Sequence, residues 1–224
     1  MRQGTATRAF VAAAMAATML AGTSTAFAAT SANDTTQFSV TAGTLSFTTS
    51  PDVPTLPALT LNGQAQTLNA TMGNFGVSDS TGSGAGWNVT VSGDNAGGKS
   101  PVFKPYCTNA GGCGAHPLGY VASGTALAAN SLTLNSTSAG FSAQNGTTGT
   151  APTHQCYPTA CNVDAPPASP VKVIAAAASA GMGSYLTTGY TATSIAANTP
   201  STTQALLANE VYRVDLLWTL GSGP

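Results

Sequence analysis

The sequence predicts an all-β protein: a single sandwich or barrel-like domain that carries a disulfide-pinned insertion. Three observations predict it. Apolar and polar residues alternate wherever a pattern is visible, as where Trp87, Val89 and Val91 share one face and Asn88, Thr90 and Ser92 the other. That period of two is the signal of a half-buried strand. Charged residues make up only 6% of the chain, against about a quarter in ordinary domains. A helical surface draws on Lys, Glu and Arg, and here Thr, Ser, Asn and Gly take their place. Finally, Gly, Pro and Asn interrupt the apolar runs at short intervals, which is the spacing of many short strands.

Export is expected from the first residues. Arg2 and Arg8 precede an almost wholly apolar run over 9–22, and Ala26-Phe27-Ala28 offers small residues at the two positions a signal peptidase needs. The apolar run is shorter than the roughly 20 residues a spanning helix requires. The reading is therefore a signal peptide over 1–28, cleaved before Ala29, and one domain over 29–224. No second apolar span follows, so no membrane span is expected in the mature chain. The last residues, Gly221-Ser222-Gly223-Pro224, carry no sorting motif, which leaves non-covalent attachment as the route by which the protein stays on a cell.

Strands are expected in order along that domain. Phe38–Val40 and Leu45–Phe47 flank the turn residues Thr41-Ala42-Gly43. Residues 57–61 and 66–71 flank Asn62-Gly63, a strong hairpin dipeptide, and 73–78 follows. The run 86–92 is the clearest strand. Tyr212, Val214, Leu216, Trp218 and Leu220 share one face near the end. Residues 93–170 are the irregular part, with weak strand signals at 118–121 and 131–134. Residues 171–180 read as a buried strand or as an alanine-rich helix.

That irregular region holds all four cysteines, Cys107 and Cys113, then Cys156 and Cys161. An even count in an exported chain reads as disulfides. Local pairing is favoured, each small loop contributing roughly 2–2.5 kcal/mol in the chain-entropy model. Cross-pairing would close loops of about 40–55 residues and contribute roughly 4 kcal/mol each. A zinc site with His116 and His154 is the third alternative, although structural zinc favours a tighter cysteine spacing. No metal, cofactor or catalytic group is assigned: the two histidines stand beside Pro117 and Gln155 as loop residues, and the carboxylates are scattered singly.

Without the signal segment, Lys99, Lys104, Lys172 and Arg213 face seven acids, a net charge of −3. No basic cluster remains, so nucleic acid and anionic polymers are poor partners. A neutral ligand is expected instead. The two tryptophans are the residues to weigh for it. Both lie on strand faces rich in aliphatics, so filling the core is the first reading and stacking on a sugar face the second; Trp218 between Leu216 and Leu220 argues for burial, whereas the Gly-rich lead 82–86 would leave one side of Trp87 open for stacking.

The end of the chain, Tyr212-x3-Leu216-x-Trp218-x-Leu220-x3-Pro224, resembles the C-terminal motif of the WxL-domain surface proteins of Gram-positive bacteria at every specified position. The family's proximal motif is matched by Trp87-Asn88-Val89, with Val for Leu, after a similar lead containing Asp79 and glycines. Gly181-Met182-Gly183 followed by Tyr185 is similar to another recurrent segment. The resemblance covers roughly 37–92 and 118–224, and the cysteine segments stand outside it. It implies a secreted, wall-associated protein that binds peptidoglycan or another neutral wall glycan without catalysis. Trp87, Val89, Tyr212, Trp218 and Leu220 are the implied ligand-binding residues. Other surface proteins are a further class of partner, in which case the chain is a structural subunit or adhesin joined through strand edges.

Overall fold

A computed structural model describes residues 33–224, and the expected signal segment lies outside the described residues. Residues 33–39 carry no strand and fall in a unit separate from Val40–Pro224. The expected strand at Phe38–Val40 is not formed, and both large side chains there are exposed. Among the described residues there is no helix: fifteen strands, all paired antiparallel, form four sheets.

The clearest sequence signal becomes the centre of the first sheet. β4 (Trp87–Gly93) lies between β15 (Leu216–Ser222) and β11 (Val171–Ala176), and β9 (Thr153–His154) follows β11. The alternation read from the sequence holds through Val91: Trp87, Val89 and Val91 are buried and Asn88 and Thr90 half-buried, whereas Ser92, expected on the polar face, is buried as well. β11 settles the ambiguous segment 171–180 as a strand. Its register with β4 slips by one residue between Lys172 and Ile174, so Val173 is an extra residue. Such a bulge breaks the period of two, which is why Val173 and Ile174 are both buried.

A second sheet runs β1 (Leu45–Thr49), β3 (Gly76–Asp79), β12 (Gly183–Thr188), β8 (Gly140–Gln144). A third runs β10 (Cys161–Asn162), β7 (Leu132–Leu134), β13 (Ile195–Thr199), β2 (Gln66–Ala70), and a fourth β14 (Glu210–Arg213), β5 (Lys104–Cys107), β6 (Gly119–Tyr120). One apolar cluster joins Phe75 and Val77, the β4 residues, Leu132 and Leu134, Val173 and Ile174, and Ile195. Both disulfides are local, Cys107–Cys113 and Cys156–Cys161. Since those bonds use all four sulfurs, the zinc alternative has no thiolate ligand.

Two expectations change. Residues 57–61 form no strand, and β2 pairs with β13 rather than across Asn62-Gly63. Pro51, Pro54 and Pro57 deprive this stretch of backbone donors. Asn62 spends its side chain locally, its Oδ1 accepting from the Gln64 amide at 2.9 Å. The C-terminal run is likewise not one strand: it breaks at Val214-Asp215 into β14 and β15, which belong to different sheets.

Trp87 is the larger correction. It is 1% exposed, and its Nε1–H donates to the Gly181 carbonyl at 3.0 Å. The glycine-rich lead does not open the ring; it lets backbone close over it. A side chain at Gly86 would lie 2.3 Å from the Ala176 carbonyl oxygen, and one at Gly181 2.5 Å from the indole nitrogen. Both glycines have φ above +70°, where other residues are strained. Trp218 is only half-buried, packing against Phe75 with ring centroids 5.7 Å apart. Trp87→Ala is therefore expected to cost about 3–5 kcal/mol, the range for a fully buried large aromatic. Trp218→Ala should cost clearly less, and urea unfolding of the two variants checks the order.

Candidate functional site

The two Trp-bearing motifs sit side by side. In the β4–β15 register Ser222 lies opposite Trp87, Leu220 opposite Val89 and Trp218 opposite Val91. Val89 is fully buried, so neither Trp87 nor Val89 presents a surface to a ligand. Their work is to build the sheet. Trp218 and Leu220 are half-buried and pack on the same core.

Tyr212, the remaining implied contact, lies elsewhere, in a groove of about 940 Å³. The floor follows from register: Ala197 of β13 lies opposite Leu68 of β2 and Leu132 of β7, so the three side chains form a row across one face. One wall is the proline-rich stretch 53–61, unable to join a sheet. The other is made by 203–206 and by β14 through Leu216. The strand break at Val214-Asp215 lets the last motif divide, with Tyr212 and Leu216 lining the groove while Trp218 and Leu220 pin β15. The lining is chiefly aliphatic, and Glu210 and Arg213 are its charged members. Leu61 and Val211, both in that lining, keep 44% of their surface in solvent.

A hydrogen bond and an ion pair hold the β14 wall in place. Glu210 Oε1 meets His116 Nδ1 at 2.6 Å, and its other oxygen accepts from the Leu207 amide. His116 itself bridges to Cys113 through backbone bonds, so the first disulfide loop is clamped onto β14. Asp215 holds the break between β14 and β15. Its Oδ2 accepts from the Tyr120 hydroxyl at 2.7 Å and the Ser100 amide at 3.1 Å, and its Oδ1 pairs with Arg213 at 2.8 Å. The Arg213 guanidinium also stands 4.6 Å from the centre of the Tyr106 ring.

These contacts shift the acids. Burial alone pushes the Asp215 carboxyl up, but the Tyr120 hydroxyl, the Ser100 amide and Arg213 together hold it below its ordinary value. The His116 imidazole does the same for Glu210. Asp164 goes the other way: it is fully buried, and desolvation raises it despite the amides of Ser131 and Leu132 bound to its oxygens.

Among the described residues no three of His, Cys, Asp and Glu converge on a metal-sized site, and no helix is long and apolar enough to cross a membrane. Compared with known families, curated proteins and solved structures, the chain finds no match. The groove was not foreseen from the sequence. The spacing of Pro51, Pro54 and Pro57 is the signal that could have marked 51–61 as lying outside the sheets, and the strand expected at 57–61 overlooked it.

Asp215 and Glu210 fix the sign of an acid effect. A carboxyl depressed in the folded state contributes stability above its unfolded value, near pH 4, and loses it as pH falls through the folded value. The share of the melting temperature that these two acids supply should therefore drop as pH falls below about 4, against the opposite contribution of Asp164. Asp215→Asn should melt lower at neutral pH and show a shallower acid loss, measured by calorimetry across that range.

Proposed function

We propose that this chain is a non-enzymatic module of the outer cell surface that attaches non-covalently to the wall, with peptidoglycan or another neutral wall polymer as its ligand. The observation that carries the reading is the divided C-terminal motif. The segment resembling the WxL surface proteins supplies both the strand that closes the core and the Tyr212 wall of the groove. The two disulfides support an oxidising compartment, and a lining with so little charge suits a neutral partner.

A second reading has an observation of its own. The strands at the groove's rims, β2 and β14, are each terminal in their sheets, and Leu61, Leu207 and Val211 are exposed around them. Unpaired strand edges beside apolar side chains are the usual seat of strand addition. In that reading the chain is a structural subunit or adhesin joined to copies of itself or to other surface proteins.

Purified sacculi test the first reading. The protein without residues 1–28 is expected to sediment with sacculi and to stay bound in 1 M salt, where screening reduces the Debye length to about 3 Å. Leu61→Asp and Val211→Asp place a charge on the exposed rim with the core untouched, and each should lower bound protein several-fold at unchanged melting temperature. A parent protein that remains in the supernatant overturns wall attachment. Polymers seen by analytical ultracentrifugation without sacculi favour the second reading.

A further inference from the structure

The strand expected at Phe38–Val40 has its apolar residues in place and no partner. Residues 33–44 are exposed throughout, with 89% of Phe38 and 82% of Val40 in solvent. Among the described residues, backbone bonds to another segment begin only at Gly43 and Thr44, through Ser80. Residues 33–42 therefore form an arm in which Phe38 and Val40 alternate with Gln37, Ser39 and Thr41. Ten residues span about 33 Å when extended, and a seven-residue strand about 23 Å.

Its counterpart is β15, at seven residues the longest of the strands that end a sheet. Proteins guard such edges by shortness, charge, proline or a bulge. β6, β9 and β10 have two residues each, β14 carries Glu210 and Arg213, and the β1 register shifts. β15 has no charge and no proline, and its register with β4 is unbroken. Two bonds show which of its groups point outward. The Asp94 amide donates to the Asp215 carbonyl, and the Gly223 amide to the Gly86 carbonyl. Bonded pairs recur at every second residue of an antiparallel ladder, so Leu217, Thr219 and Gly221 bond to β4. Leu216, Trp218, Leu220 and Ser222 then turn N–H and C=O to the open edge. The side chains of Trp218 and Leu220 face the core and stay half-buried, whereas Val91 and Val89 opposite them are fully buried. The cover they lack is on the side of that edge.

We infer that the arm of a second copy of this chain adds to β15 as the next strand of its sheet, with Phe38 and Val40 beside Trp218 and Leu220. The two periods of two then match: apolar side chains extend the core row, and Gln37, Ser39 and Thr41 join Thr219 on the solvent face. The added backbone takes up the outward N–H and C=O groups of β15. Neither 35–42 nor 216–222 carries a charge, so no ion has to be desolvated when the two meet. The inference stands on the arm and this edge, and on neither reading of the groove.

Analytical ultracentrifugation of the protein without residues 1–28 tests it across a range of concentrations. Association that grows with concentration is expected, as dimers or longer chains, and it should persist in 1 M salt. Phe38→Asp and Val40→Asp should each weaken it about tenfold or more, since a carboxylate would enter the core row. Their melting temperatures should equal the parent's, because the arm lies outside the sheets. A peptide of residues 33–42 should dissociate the parent, and the same peptide with Phe38→Asp should not. Amide exchange gives a reading at the edge itself: Trp218 and Leu220 should exchange more slowly as concentration rises, while Thr219 stays slow throughout. Leu61→Asp, in the groove, should associate as the parent does, so failure of wall attachment and failure of this pairing remain distinguishable. A monomer at every concentration overturns the inference. So does association that Phe38→Asp leaves intact, which belongs to the groove rims, or association that leaves the Trp218 and Leu220 amides unprotected.

Discussion

Everything else in this fold leans on β4 being satisfied from both sides. Its backbone pairs with β15 along one edge and β11 along the other, and its Trp87, Val89 and Val91 fill the centre of the core. A strand so enclosed has no water to fall back on, so each backbone group and the one indole N–H need protein partners. Gly86 and Gly181 follow from that need. Both give up side chains so that backbone can approach the ring closely enough to accept its proton and cover its face.

The same scarcity of charge that marks the sequence shapes the interior. Where a fully buried carboxylate does occur, as at Asp164, backbone amides of the strand β7 entrance satisfy it in place of a counter-ion. At Asp215 a tyrosine hydroxyl, an amide and an arginine share the task, and the chain changes sheets there. The two disulfides act on short loops, one clamped to β14 through His116 and Glu210, the other directly after β9. Strands thus supply the floor of the groove, and the irregular stretches 53–61 and 203–206 its sides.

How much of this was legible in the sequence depended on whether a local rule had a competitor. The all-β class, β4 and β2 were readable because alternation and composition pointed the same way. Local cysteine pairing was favoured by short spacing, and the pairs formed. The hairpin at Asn62-Gly63 was not formed, because three prolines upstream removed the donors that a partner strand needs. The C-terminal run kept its period but not its continuity, since Asp215 found partners in Ser100 and Tyr120, which no local pattern reveals. The two tryptophans exchanged expected environments for a related reason. Glycines before Trp87 read as looseness, whereas they served a close packing decided by Gly181, 94 positions away. The groove had no sequence signature, because it is made by distant segments meeting.

The partners of β4 carry a consequence in time. Its indole waits for a carbonyl 94 positions later, and the Asn88 side chain for the Gly223 carbonyl 135 positions later. Such pairings close large loops before any contact compensates for the lost entropy, which makes folding slow. A nascent chain that ends short of residue 216 holds the strand at the centre of its core with one edge open. Until those last residues arrive, the edge that β15 covers stands open to any other strand.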